Sequence, residues 1–161
     1  MSESDVLENQ ERVRRMLSQA FAEVPCPSSF QVEGACEPLS HDVSLDLRRD
    51  FYNYEPEEIH YLLPLILADM MDTRTGNDIE TGDAERLVLQ LDPFGLDNAL
   101  VQKVKLEQFA HFTQQQRQAI CEWLRFARTW NDLKRFTHWV EAASKYWCNS
   151  TQTNENQHGS C

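Results

Sequence analysis

The 161-residue sequence has little of what several common protein classes require. It has only 5 glycines and 6 prolines, few for a β-sandwich or barrel, which needs many tight turns. It has no apolar run near the ~20 residues that cross a bilayer, and its N-terminus lacks the basic and apolar regions of a signal peptide. We therefore expect a cytoplasmic protein with no membrane partner.

Cysteine is also sparse and widely spaced. The five cysteines, Cys26, Cys36, Cys121, Cys148 and Cys161, form no Cys-x-x-Cys pair and no zinc-ribbon pattern. In a reducing cytosol we expect five free thiols, with Cys121 on the apolar side of a helix and in the core. Cys26 and Cys36 could close a short loop only if the protein were exported.

Motifs for catalysis and cofactor binding are missing. There is no Gly-x-Ser-x-Gly, no caspase-like or papain-like cysteine context, and no glycine-rich phosphate loop. The twelve residues 72–83 have the length of a calcium loop, but Arg74 and Gly76 stand where oxygen ligands are required. We therefore predict no catalytic residue and no cofactor.

One short motif raises the question of a metal. Glu57 and His60 form a Glu-x-x-His pair, but di-iron bundles use two such pairs, and Glu107 and His111 are four residues apart. We predict no metal site. The alternative is a small metal-dependent or other enzyme that uses Glu57, His60 and Asp69.

Apolar residues at helical spacing predict an all-α fold, a compact bundle of about six helices. We expect a single domain over 1–148 and a disordered polar tail over 149–161. The predicted helices are 5–23, a short one near 39–51, one from Pro56 that Pro64 kinks or splits, 83–91, 98–110, one from Thr113 to near 130, and 132–147. An alternating 87–91 segment leaves a strand possible, but we favour helix. Spacing places at least two of Trp123, Trp130, Trp139 and Trp147 in the core.

Cap residues mark several helix starts. Ser4 or Asp5 can cap the first helix, and Asp97 the one over 98–110. Thr113 followed by Gln116 matches a capping box, and Thr129 with Asp132 resembles a second.

Charge is divided unevenly along the chain. Residues 1–100 hold 21 acids against 7 arginines, a net of −14, while 101–161 have a net of +3, which gives −11 for the whole. The acids are densest around a loop: Asp69, Asp72, Asp78, Glu80, Asp83 and Glu85. We predict that these six form a docking surface for a basic protein, because opposite fields speed encounter. The alternative interpretation is that these acids form an ordinary solvated surface.

Basic residues collect in the last third of the chain: Lys103, Lys105, Arg125, Arg128, Lys134 and Arg135. We interpret them as the solvated outer face of the last helices. Because the chain as a whole is strongly negative, we expect no nucleic-acid partner.

Four short motifs resemble a family of uncharacterised bacterial proteins with a domain of unknown function. They are an Ala-Phe-x-x-Val-Pro-x-Pro pattern at 20–27, Pro-Glu-x-x-x-Tyr-x-x-Pro at 56–64, Leu-x-Pro at 91–93, and a Phe-x-x-x-Thr-x-x-Gln-Arg pattern at 109–117. The resemblance covers about residues 16–128 and supports the helical fold. It implies no activity and no catalytic residue.

Small size, acidity and the lack of catalytic motifs favour a non-enzymatic, protein-binding module. Its most concrete form is an immunity- or antitoxin-like inhibitor of a basic partner. Besides the metal-dependent enzyme, the other alternative is a structural subunit of a larger assembly, for which an exposed apolar patch would be the telling observation.

Overall fold

A computed structural model describes residues 2–30, 50–72 and 83–159, apart from the side chains of 83, 131–132 and 149–159. Within these residues the structure has six α-helices and no strand: α1 Glu3–Ala20, α2 Pro56–Asp72, α3 Asp83–Leu91, α4 Ala99–Ala110, α5 Gln114–Ala127 and α6 Thr137–Gly159. Short 3₁₀ segments occupy Ser28–Phe30, Phe51–Asn53 and Asn131–Phe136. The all-α prediction is confirmed, and 83–91 is a helix rather than a strand.

Helix starts follow the capping rules, with small shifts from the sequence prediction. Ser2, not Ser4, caps α1, in a capping box with Asp5. Asn98, not Asp97, caps α4, and its side chain accepts hydrogen bonds from two backbone N–H groups of the first turn. The predicted box of Thr113 and Gln116 starts α5. These side chains satisfy N–H groups that have no partner inside a helix.

The second predicted box, of Thr129 and Asp132, is wrong. The Thr129 hydroxyl donates to the carbonyl of Phe126 instead, and the chain continues as the 3₁₀ segment before α6 begins at Thr137. Helix α6 then runs to Gly159, past residue 148, where we expected the folded domain to end. The division into a domain and a disordered tail stays a prediction.

Helix α2 is the central helix that its apolar sequence predicts. It is one helix over Pro56–Asp72, with Pro64 inside, so the proline does not split it. Seven of its side chains are buried: Ile59, Leu62, Leu63, Ile66, Leu67, Met70 and Met71. It packs against α1 and α4, while α5 packs against α1 and α6, and α3 against α6. The predicted helix near 39–51 lies outside the described residues up to 49, and Phe51 is buried in a 3₁₀ segment.

Two tryptophans are fully buried, as predicted, and each joins two helices through a hydrogen bond. Trp123 donates its indole Nε1–H to the carbonyl of Leu67, and Trp147 donates to that of Leu91, each over 2.9 Å. Trp130 and Trp139 pack at the margin of the core. A buried indole N–H needs an acceptor, so both contacts fix the relative position of the helices that they join.

A disulfide joins α5 to α6 through Cys121 and Cys148. Cys26 is also disulfide-bonded. The prediction of free thiols is therefore wrong for all three cysteines that the structure describes, although Cys121 is buried as expected. Close packing of α5 on α6 brings the two Cα atoms to 5.3 Å, within bridging range.

Candidate functional site

Two of the predicted acidic site residues, Asp69 and Asp72, lie near the end of α2 beside α1. Asp72 pairs with Arg14 of α1, whose guanidinium also lies 3.8 Å from Glu11. Asp69 is half-buried, and its pKa is raised first by burial and then by the negative charge of Asp72. Asp72 therefore contributes to the α1–α2 contact as well as to the surface charge.

The other four predicted acids are less completely placed. Asp78 and Glu80 lie outside the described residues. Asp83 is the first residue of α3, but its side chain is not among those described, and Glu85 is half-buried on the same helix. The structure thus brings Asp69 and Asp72 together, and the six-residue docking surface stays a prediction.

Of the residues of the metal alternative, His60 packs against neighbouring side chains. The ring of His60 lies 4.7 Å from that of Phe112, and its Nε2 lies 2.7 Å from Oε1 of Gln116. That same oxygen accepts the N–H of Thr113, so it is an acceptor and His60 is the donor. Glu57 is exposed at the start of α2. In the part of the chain that the structure describes, no three metal-binding side chains lie together.

Most of the exposed large apolar side chains lie in the connection between α3 and α4 and in the first turn of α4. Across the described ranges, only four large hydrophobic residues are exposed: Leu7, Phe94, Leu96 and Leu100. Three of these fall within residues 92–100, which we call the apolar turn, with 57% of Phe94 and 71% of Leu100 exposed. Three exposed large apolar side chains within residues 92–100 make this part of the surface a candidate binding site.

Hydrogen bonds give the apolar turn a defined shape. The Asp92 carboxylate accepts the N–H of Phe94 over 3.0 Å, and the Asp92 carbonyl accepts that of Gly95. The Gln102 side chain donates to the carbonyl of Leu96 over 2.9 Å. A Cβ at Gly95 would lie 2.7 Å from the carbonyl oxygen of Leu89, so only glycine fits there. The apolar side chains are thus presented on a pre-shaped loop.

The base of the apolar turn is held by two buried donors. Lys105 of α4 donates its ammonium group to the carbonyl of Gln90 over 3.0 Å, next to the Trp147 bond to Leu91. Both acceptors belong to the last turn of α3, whose carbonyls have no partner within the helix. A cation also suits the negative end of a helix dipole.

Lys105 is only 2% exposed, so its predicted place on a solvated basic face is wrong. Burial lowers the pKa of Lys105 to about 8, although the charges of Asp92 and Asp50 oppose the shift. Its long stem lets the ammonium group reach the end of α3 from inside the bundle.

Two glutamines extend this polar cluster around the 3₁₀ segment at Phe51–Asn53. The Gln90 side chain accepts the N–H of Phe51 over 2.6 Å. Gln108 of α4 donates to the carbonyls of Phe51 and Tyr54 over 2.8 and 2.6 Å. Helices α3 and α4 therefore grip the segment before α2 through buried hydrogen bonds.

A second surface lies between α5 and α6. A cavity of about 590 Å³ is lined by Leu124, Arg125, Arg128, His138, Glu141, Ala142, Ser144, Lys145 and Cys148, and we call it the basic groove. Arg125 pairs with Glu122, and Arg128 with Glu141, each over 2.8 Å. The lining holds three basic side chains, Arg125, Arg128 and Lys145, against one carboxylate, Glu141.

The apolar turn was not among the predicted sites. A usable signal was present: Phe94 and Leu96 lie between the predicted helices 83–91 and 98–110 and belong to neither apolar pattern. Arg125 and Arg128 were predicted to lie on a basic face, but their position beside Cys148 in the basic groove was not predicted.

Comparison with known proteins identifies one family. Residues 48–151 match the model of a family of unknown function, DUF6714, and this range includes both the apolar turn and the basic groove. No curated protein and no solved structure matches the chain. Among the described residues, no helix is long and apolar enough to cross a membrane.

Proposed function

We propose that this chain, which belongs to the DUF6714 family, is a non-enzymatic protein-binding module. Its most concrete form is a cytoplasmic, immunity- or antitoxin-like inhibitor of a basic partner protein. The observation that carries the proposal is the apolar turn, in which Phe94 and Leu96 are exposed on a loop of defined shape and Leu100 is exposed in the first turn of α4.

The apolar turn has the properties of a binding anchor. Covering an exposed Phe or Leu side chain contributes about 1.5–3 kcal/mol when burial is complete. The hydrogen bonds of Asp92 and Gly95 already order the loop, so little conformational entropy is lost on docking. Two apolar side chains on this loop and a third at the start of α4 supply the anchor that a protein interface needs.

Charge supports a basic partner. The net charge is −11, and Asp92 and Asp97 lie within the apolar turn itself. The predicted docking acids Asp69, Asp72, Asp78, Glu80, Asp83 and Glu85 add to the same field, which would steer a cationic protein and disfavour nucleic acid.

The anchor is tested with the purified partner, after affinity capture from the native host has identified it. We expect Phe94→Ser with Leu100→Ser to weaken the Kd about 100-fold or more, since each side chain acts as a hot spot. Leu7→Ser is the matched control, because Leu7 is 53% exposed but lies on α1. It should change the Kd less than threefold, and an equal loss in both variants would contradict the proposal.

The acidic field is tested by association kinetics with the same partner. Reversing Asp78, Glu80 and Asp83 to Lys should slow association and reduce its dependence on salt. Unchanged kinetics would remove the docking acids from the proposal and leave the apolar turn alone.

The exposed apolar side chains of the turn also favour the second candidate, a structural subunit of a larger assembly. Sedimentation of the purified chain separates the two. A self-assembled species that Phe94→Ser dissociates would favour the subunit over the inhibitor.

A further inference from the structure

The disulfide between α5 and α6 has one accessible side. Cys121 is 1% exposed, whereas Cys148 is half-buried and lines the basic groove. A molecule in the groove therefore meets Cys148, whereas Cys121 is enclosed in the core and does not line the groove. Thiol–disulfide exchange depends on which sulfur can be reached, so this arrangement directs attack to one cysteine.

The groove carries the charge that an anionic reagent needs. Arg125, Arg128 and Lys145 line it, with Glu141 as the one carboxylate among the lining residues, although the chain as a whole has a net charge of −11. Arg125 and Arg128 keep 61% and 54% of their side chains exposed while paired. The pair of Arg128 and Glu141 is exposed on both sides and therefore weak, so the Arg128 guanidinium can turn to a bound anion. Arg125 is paired with Glu122, which is only 13% exposed, but keeps most of its own side chain exposed.

We propose that the basic groove is a thiol–disulfide exchange site for an anionic low-molecular-weight thiol of the glutathione class. The carboxylates of the thiol bind Arg125, Arg128 and Lys145, which brings its thiolate to Cys148. The inference is independent of the function proposed for the apolar turn.

The exchange has two balanced steps. The thiolate attacks Sγ of Cys148, a mixed disulfide forms, the Cys121–Cys148 bond breaks, and Cys121 leaves as a thiolate that takes a proton from water. A second thiolate then attacks the sulfur of the bound reagent and releases Cys148 as a thiolate, which the cations of the groove favour. Two reagent thiols are oxidised to their disulfide, and one protein disulfide is reduced to two thiols.

The fold can survive this opening. Helices α5 and α6 also pack through buried apolar side chains, among them Leu124, Val140 and Ala143. Breaking the covalent link therefore leaves the helix contact in place, and the exchange can run in both directions.

The test compares reduction rates of the oxidised protein by glutathione and by neutral 2-mercaptoethanol. The Arg125→Gln, Arg128→Gln, Lys145→Gln triple variant should react about tenfold more slowly with glutathione, within the range of electrostatic steering, and within about twofold of wild type with 2-mercaptoethanol. The control triple, Lys103→Gln, Lys134→Gln, Arg135→Gln, removes the same charge from exposed positions outside the groove. It should match wild type with both reagents.

Peptide mapping locates the adduct. In Cys121→Ala, Cys148 is a thiol that cannot form the disulfide with Cys121. Glutathione disulfide should modify this Cys148 faster than it modifies Cys148 in a second variant, in which Cys121→Ala is combined with the change of the three groove cations to Gln. The proposal is overturned if the two triple variants slow glutathione equally, if neither slows it, or if the first adduct in wild type forms on Cys121.

Discussion

The apolar turn is held by hydrogen bonds from buried donors, whereas the basic groove is bordered by a disulfide and by ion pairs whose guanidinium groups are exposed. At the turn, Lys105 and Trp147 reach the last carbonyls of α3 from inside the bundle. Leaving either carbonyl unpaired in the interior costs about 1–3 kcal/mol. The shape of the turn is therefore tied to the stability of the fold.

The groove follows the opposite rule. Its pair of Arg128 and Glu141 is exposed on both sides, so water screens the attraction and either side chain can move at little cost. The shape of the apolar turn is therefore tied to the stability of the fold, whereas the charges of the basic groove are available to a ligand. Three predictions test that contrast.

The largest effect is expected at Lys105. Its folded pKa of about 8 lies below the unfolded value of 10.5, so the unfolded state binds more protons between these pH values and stability rises with pH. From pH 7 to 10.5, the free energy of unfolding of the wild type should rise by about 3 kcal/mol relative to that of Lys105→Met. Urea unfolding across this range measures it.

Lys103→Met is the control for this titration, because Lys103 is exposed on the same helix. Its free energy of unfolding should follow that of the wild type across the whole pH range. If the free energy of unfolding of Lys105→Met also follows that of the wild type, Lys105 is hydrated in solution, and no buried cation supports the turn.

The next effect separates the two buried tryptophans. Trp147→Phe and Trp123→Phe each remove an indole donor from a buried carbonyl, so each should cost about 2 kcal/mol of stability. Only Trp147→Phe should also speed hydrogen exchange at the amides of Gly95 and Asn98, because Leu91 is at the base of the apolar turn. Equal acceleration in both variants would show that the turn has no support of its own.

Local sequence rules predicted the elements of this fold but not their long-range contacts. The apolar spacing of α2 and the capping box at Thr113 are read within one or two helical turns, and both are confirmed. The family resemblance is likewise carried by short motifs, and the DUF6714 match confirms membership in a family of unknown function.

The contacts at the two surfaces depend on tertiary placement. Lys103 and Lys105 have nearly the same neighbours in sequence, yet one is exposed and the other meets the end of α3. The bond between Cys121 and Cys148 spans 27 residues and needs the packing of α5 on α6 to bring the sulfurs together. No sequence pattern within one helix predicts the contact of Lys105 with α3 or the bond between Cys121 and Cys148.

The smallest effect is expected in the basic groove. In a double-mutant cycle of Arg128→Gln and Glu141→Gln, the coupling free energy should be at most about 0.5 kcal/mol and should fall further in 0.5 M salt, because both side chains are more than half exposed. Thermal unfolding of the four proteins measures it. A coupling near that of a buried donor, about 2 kcal/mol, would mean that Glu141 holds Arg128 too firmly for an anion to recruit it. A weak coupling leaves Arg128 free to exchange one carboxylate for another, which an anion-binding groove requires.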